Sequence, residues 1–169
     1  MTVERWLRKH SLSGVDVVLD LTGEPDVRWH VDQARHEHPC PLVVGWMEPY
    51  VAAAHVCLLP AEVPWIQGTA DHLADLEAVI WPDDVIRREP GCSSRFQSYT
   101  AAAAAHAVAL VAENALDLID GIDDSATARV VSWVRGQRFL DRHRPGLALR
   151  DWALPAAPHD GLVLARPFP

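Results

Sequence analysis

Apolar and polar positions along this chain follow two periods, one of strands and one of helices. The first regular stretch is Val15-Asp16-Val17-Val18-Leu19-Asp20-Leu21, an apolar, β-branched run of strand length. Such runs belong to strands buried on both faces, the usual state in a parallel sheet. A Thr22-Gly23 turn follows, and Pro25 stands where a helix begins. Val27, Val31 and Ala34 then recur at i, i+4 and i+7, predicting a helix with one apolar stripe. Pro39 ends it, because the residue before a proline disfavours the helical region. Pro41 to Met47 is the next buried strand. Strand, helix and strand at this spacing predict a βαβ unit with a right-handed crossover. His55 to Leu59 is a third strand candidate.

The same periods organise the remainder. Val3 to Lys9 reads as a short helix with Trp6 and Leu7 on its apolar side. Residues 60 to 98 form a long excursion holding one helix, about 71 to 80, marked by Leu73, Leu76 and Ile80. The strongest helix runs from Thr100, a natural N-cap, through five alanines to Asp120, with Gly121 at the left-handed cap. Val108, Val111, Ala112, Ala115, Leu118 and Ile119 mark its expected core face. Arg129 to Val134 and Gln137 to Leu140 flank Gly136 as a hairpin would, and Leu162 to Leu164 is a last short strand. The expected organisation is an α/β unit over residues 1–121, with 122–169 as a β-hairpin and proline-rich tail packed on it.

Composition narrows the class. At 169 residues, 49% hydrophobic and 22% charged, the chain has material for a packed core. A net charge of −8 argues against a nucleic-acid or anionic-membrane partner. No apolar run is expected to reach the roughly 20 residues that span a bilayer, and Met1 to His10 lacks a signal-peptide core. Three scattered cysteines, Cys40, Cys57 and Cys92, fit reduced thiols in a cytoplasmic protein.

Several residues carry candidate chemistry. Asp20, Thr22 and Glu24 fall at the carboxyl end of the first strand, the edge at which open α/β sheets bind ligands. Asp20 either caps the following helix or holds a metal. Arg28 is either a surface ion pair or a contact to phosphate or carboxylate. Cys92 lies in a Gly-Cys-Ser-Ser loop near Arg87, Arg88 and Arg95. Nearby cations favour the thiolate, so Cys92 is either a nucleophile or an incidental loop thiol. Cys40 and Cys57 adjoin apolar strand positions and read as core residues. His36-x-His38 is either exposed polar surface or part of a metal site, and the tryptophans read as core or interface anchors.

The stretch from Val15 to Arg28 resembles the metal-side motif of the ThiF/MoeB-like, ubiquitin-activating superfamily, in which an Asp-x-Thr-Asp-Asn turn follows a strand and an Arg comes soon after. Pro-Leu-Val-Val-Gly-Trp-Met-Glu-Pro-Tyr resembles the next strand of that family. Pro90-Gly91-Cys92-Ser93 with Thr100 to Gly121 resembles its cysteine-bearing crossover and returning helix. The resemblance covers residues 15–121 and implies a Rossmann-like, incomplete sheet. It further implies ATP and Mg2+ as cofactors, and adenylation or thioester transfer of a ubiquitin-like or sulfur-carrier protein. Cys92 would be the catalytic nucleophile, Arg28 and Arg95 the substrate or phosphate contacts, and Asp20 and Glu24 the metal ligands. The nine glycines include no Gly-x-Gly, and Gly23 stands where the family places its magnesium-binding Asp. The resemblance is therefore to the C-terminal half alone. ATP binding would then come from another chain in a homodimer or heteromer. Two other readings stay open: a non-catalytic subunit paired with a complete activating enzyme, and a fragment of an NAD-dependent dehydrogenase.

Overall fold

Helix α1 (Val3–Leu7) leads into β1 (Val18–Asp20), α2 (Pro25–Glu37), β2 (Leu42–Met47) and β3 (Ala53–Leu59). The single turn α3 (Leu73–Leu76) precedes a small ladder, β4 (Arg87–Arg88) with β5 (Arg95–Phe96). The long helix α4 (Ala101–Ile119), β6 (Arg129–Val134), α5 (Gln137–His143) and β7 (Leu162–Pro167) complete the chain. This computed structural model describes residues 2–68, 70–83, 85, 87–88, 95–96, 99–121 and 127–169, with 87–88 and 95–96 as backbone alone.

The architecture is α/β, a five-stranded mixed sheet in the order β1-β2-β3-β6-β7. β1 and β2 are parallel and joined through α2, as the spacing predicts, while every other pairing in that sheet is antiparallel. Side chains alternate across β2. Leu42 and Val44 pack with Val31 of α2, Cys57, Leu59 and Trp65, whereas Val43 faces Leu110, Val111 and Ala115 of α4. Gly45 lets α4 settle on the sheet: a Cβ there would lie 2.8 Å from a Val111 methyl. Cys40 and Cys57 are buried free thiols within this core.

Five expectations are corrected. First, β1 is not a strand buried on both faces but a three-residue edge strand, with Leu19 44% and Leu21 58% exposed. Second, the helix expected over 71–80 is only α3, because Glu77 leaves helical geometry and the next two amides turn toward the Glu48 carboxylate. Third, Leu110, Val111 and Ala115 form the buried face of α4, whereas Val108, Leu116 and Ile119 are exposed. An alanine-rich helix that is apolar almost all round gives periodicity little to choose between faces.

Fourth, the hairpin around Gly136 does not form. Residues after it make α5, and β6 pairs antiparallel with β7. Gly136 serves close approach rather than a strand reversal, since a Cβ there would lie 2.1 Å from the His159 carbonyl oxygen. Fifth, α4 is long and apolar enough to cross a membrane by length and composition, although here it lies against the sheet.

Candidate functional site

The carboxyl ends of β1 and β2 open on a cleft of about 620 Å³. Its floor is set by the turn after β1. Asp20 Oδ1 accepts from the Thr22 amide at 3.0 Å and from the Thr22 hydroxyl at 2.7 Å, and Thr22 Oγ1 accepts from the Glu24 amide at 3.2 Å. Aspartate and threonine stabilise turns in this way, by bonding backbone two residues on. Gly23 sits at φ +69°, a left-handed position that suits glycine. The second Asp20 oxygen, Oδ2, is buried and has no partner among the described residues. Asp20 thus holds the turn before α2 rather than capping the helix, whose N-cap is Glu24, and its second oxygen is uncommitted. A buried polar atom left unpaired is costly, so it marks a position where a partner belongs.

Arg28 repeats that pattern with opposite charge. It is fully buried, not a surface residue on α2. Its Nε donates to Asp71 Oδ1 at 3.3 Å and its Nη2 to Asp71 Oδ2 at 2.6 Å, a bidentate fork, while the buried Nη1 has no partner among the described residues. The Trp65 indole N–H donates to the same carboxylate at 2.8 Å. Burial pushes the Asp71 acid up, but the bonds from Arg28 and Trp65 outweigh it and hold Asp71 below the usual carboxylate range. Asp71 thus remains the fixed counter-charge that orients the guanidinium.

Two more carboxylates border the cleft. Glu48, at the end of β2, accepts from His55 Nε2 at 2.8 Å, the Val79 amide at 3.1 Å, the Trp81 indole at 2.6 Å and the Ala78 amide. Glu77 lines the cleft with its pKa raised to about 7, by burial and then by the nearby Glu48 charge, against the opposing pull of Arg150. It can therefore hold or release a proton near neutrality, in the cleft that Arg28 also lines.

Behind Glu48 runs a buried line of three polar side chains, since His55 Nδ1 lies 2.8 Å from Ser132 Oγ. With the imidazole neutral, Nε2–H donates to the carboxylate and Nδ1 is left to accept from the serine hydroxyl. Serine, histidine and glutamate in line are the parts of a nucleophile–base pair, yet Ser132 and His55 are both fully buried and Trp46 stacks on the imidazole. The line ties the end of β2 to β3 and β6 inside the core.

Of the residues singled out in the sequence, Thr22, Gly23, Glu24 and Arg28 share the cleft, and Asp20 anchors its floor. Glu24 is exposed at the start of α2 and makes no capping bond through its side chain. Cys92 and the side chain of Arg95 lie outside the described residues. His36 is exposed, and no group of three His, Cys, Asp or Glu among the described residues is placed to hold a metal ion. Sequence reasoning missed Asp71, Glu48 and Glu77. Asp71 is 43 residues from Arg28, so only the folded chain reveals the pair. A Glu-Pro directly after a buried strand was the available signal for Glu48. Compared with known protein families and curated proteins, the sequence matches neither a family model nor a curated protein.

Proposed function

We propose that this chain acts as the crossover-and-thiol half of a ThiF-like, Rossmann-like activating enzyme, on the C-terminal carboxylate of a ubiquitin-like or sulfur-carrier protein. The observation that carries this reading is the buried Arg28, whose Nη1 is uncommitted at the ligand-binding edge of the β1–α2–β2 unit. A guanidinium fixed by one carboxylate and free on its other side suits a second carboxylate or a phosphate. Asp20 supports it with one free oxygen, and magnesium on a nucleotide ordinarily uses one or two protein carboxylates besides the phosphates. ATP would be held mainly by a partner chain, as a homodimer or heteromer, because this chain supplies no glycine-rich turn.

In that reading the carrier carboxylate displaces pyrophosphate from ATP. The Cys92 thiolate then attacks the acyl carbon, forming a thioester and expelling AMP. Arg28 orients the carboxylate, Asp71 holds Arg28, and a protonated Glu77 lowers the repulsion an incoming anion meets. A non-catalytic subunit is the second reading. Gly23 favours it, because the left-handed backbone at that position suits glycine rather than a metal-binding side chain.

The test is a thioester assay with an ATP-binding partner chain and the carrier present. The catalytic reading expects a thiol-sensitive adduct that Cys92→Ser abolishes. Cys92 should also alkylate with iodoacetamide much faster than Cys40 or Cys57, whose thiols burial pushes up. Equal alkylation of all three, with no adduct, leaves the non-catalytic subunit.

A further inference from the structure

A second cavity, of about 440 Å³, lies beyond the β2–β3 turn, where the start of α4 meets α5. Its walls differ in charge from the rest of the molecule. The chain carries 23 acidic residues against 15 lysines and arginines, yet among the described residues this cavity is lined by Arg135, Arg142, His106 and His143 and by no acid. Among the described residues neither arginine makes an ion pair. Arg135 is held flat: its guanidinium carbon lies 4.1 Å from the Phe139 ring centre and 5.0 Å from that of Trp133. Its Nε is enclosed and has no hydrogen-bond partner. A guanidinium packed against two rings has already lost part of the freedom that binding an oxyanion would otherwise remove.

The remaining wall combines the rings of Tyr50, Tyr99 and Phe139 with Thr100, Ala102 and Ala103. Tyr99 is exposed at 54% and Tyr50 stands opposite His143 at a ring-centre distance of 5.4 Å. Tyr50 and Val51 both take left-handed backbone, at φ +59° and +52°, and such conformations persist where the surroundings enforce them. The strained turn carries Tyr50 to the cavity. His143 is oriented too, with Nδ1 donating to the Phe139 carbonyl at 3.0 Å, which leaves Nε2 for another partner.

We propose that this cavity is a binding site for an oxyanion carried on a flat ring, an aryl phosphate or aryl carboxylate, with Arg135 and Arg142 on the oxyanion and Tyr50 and Tyr99 on the ring. The site adjoins the Asp20–Arg28 cleft, with which it shares Tyr99, and does not depend on the adenylation reading.

The test is a backbone-amide NMR titration of the full chain with phenyl phosphate, benzoate, inorganic phosphate and benzyl alcohol. Phenyl phosphate should shift Ala102, Ala103 and His106 and leave Thr22 and Arg28 still. Benzoate should act at the same amides, inorganic phosphate more weakly, and benzyl alcohol not at all. Arg135→Gln should raise the phenyl phosphate Kd about tenfold or more, the loss expected for one charge-assisted bond. Arg142→Gln, at an exposed position, should raise it severalfold. Shifts centred on the Arg28 cleft, a Kd unchanged in both variants, or inorganic phosphate binding as tightly as phenyl phosphate would each overturn the proposal.

Discussion

Helix α2 buries two arginines two turns apart, Arg28 and Arg35, and they are used differently. Arg35 spends every nitrogen inside the protein. Its Nε donates to the Cys40 carbonyl at 2.8 Å, Nη1 to Asp32 Oδ1 at 3.0 Å, and Nη2 to the carbonyls of Pro60 at 2.8 Å and Val63 at 3.1 Å. Asp32 is equally occupied, accepting from the amides of Trp65 and Ile66. Arg28 spends two nitrogens on Asp71 and keeps the third. A saturated buried charge is part of the scaffold, fixing the loop after β3 to α2. An unsaturated one lining a cleft is where the proposed function places a partner from outside.

The largest effect should come from the saturated site. Arg35→Ala leaves Asp32 charged, buried and short of its main counter-charge, a loss of about 3–5 kcal/mol. Chemical denaturation should show it as a lower midpoint. A change under 1 kcal/mol, on the scale of an exposed ion pair, would erase the contrast with Arg28.

Arg28→Gln should be milder, about 1–3 kcal/mol, because Asp71 is partly exposed and keeps its bond from Trp65. The acid side sharpens this. Asp71 titrates below its ordinary value, so its contribution is present above the unfolded carboxylate pKa and is lost as pH falls through the folded one. Wild-type stability should drop on acidification more steeply than that of Arg28→Gln. Parallel stability–pH curves would deny Asp71 its role.

The smallest effect concerns Glu77, with the sign reversed. Its folded pKa, about 7, is raised above the ordinary carboxylate value. The protonated form is the one the fold favours, so this stability is present below the unfolded pKa and lost as pH rises toward 7. Glu77→Gln should remove that pH dependence between about pH 5 and 8, a change on the order of 1 kcal/mol once solvent screening is allowed for. Unchanged curvature over that range would place the titration elsewhere.

Much of this frame was legible in the sequence. The βαβ unit followed from two β-branched runs separated by a proline-bounded helical stripe, and α4 from its alanines, Thr100 and Gly121. The site was half legible. Asp20, Thr22 and Arg28 stand close together in the chain and declare themselves by position, whereas Asp71, Glu48 and Glu77 join them only through the tertiary fold. The apolar stripe of α2 hid its charged positions, because period reports hydrophobicity and says nothing of an arginine buried on a matching carboxylate. Gly136 misled for a related reason. A glycine chosen for close backbone approach looks, in sequence, like one chosen for a turn.

The most direct test of the central claim, that Arg28 Nη1 awaits a carboxylate or phosphate, is a calorimetric titration of the whole chain with a short peptide ending in a free carboxylate. The same peptide with an amidated end is the control. The account predicts that the carboxylate peptide binds wild type measurably, that amidation abolishes the binding, and that Arg28→Gln weakens it about tenfold or more. Equal binding of both peptides, or an unchanged constant in Arg28→Gln, would contradict it.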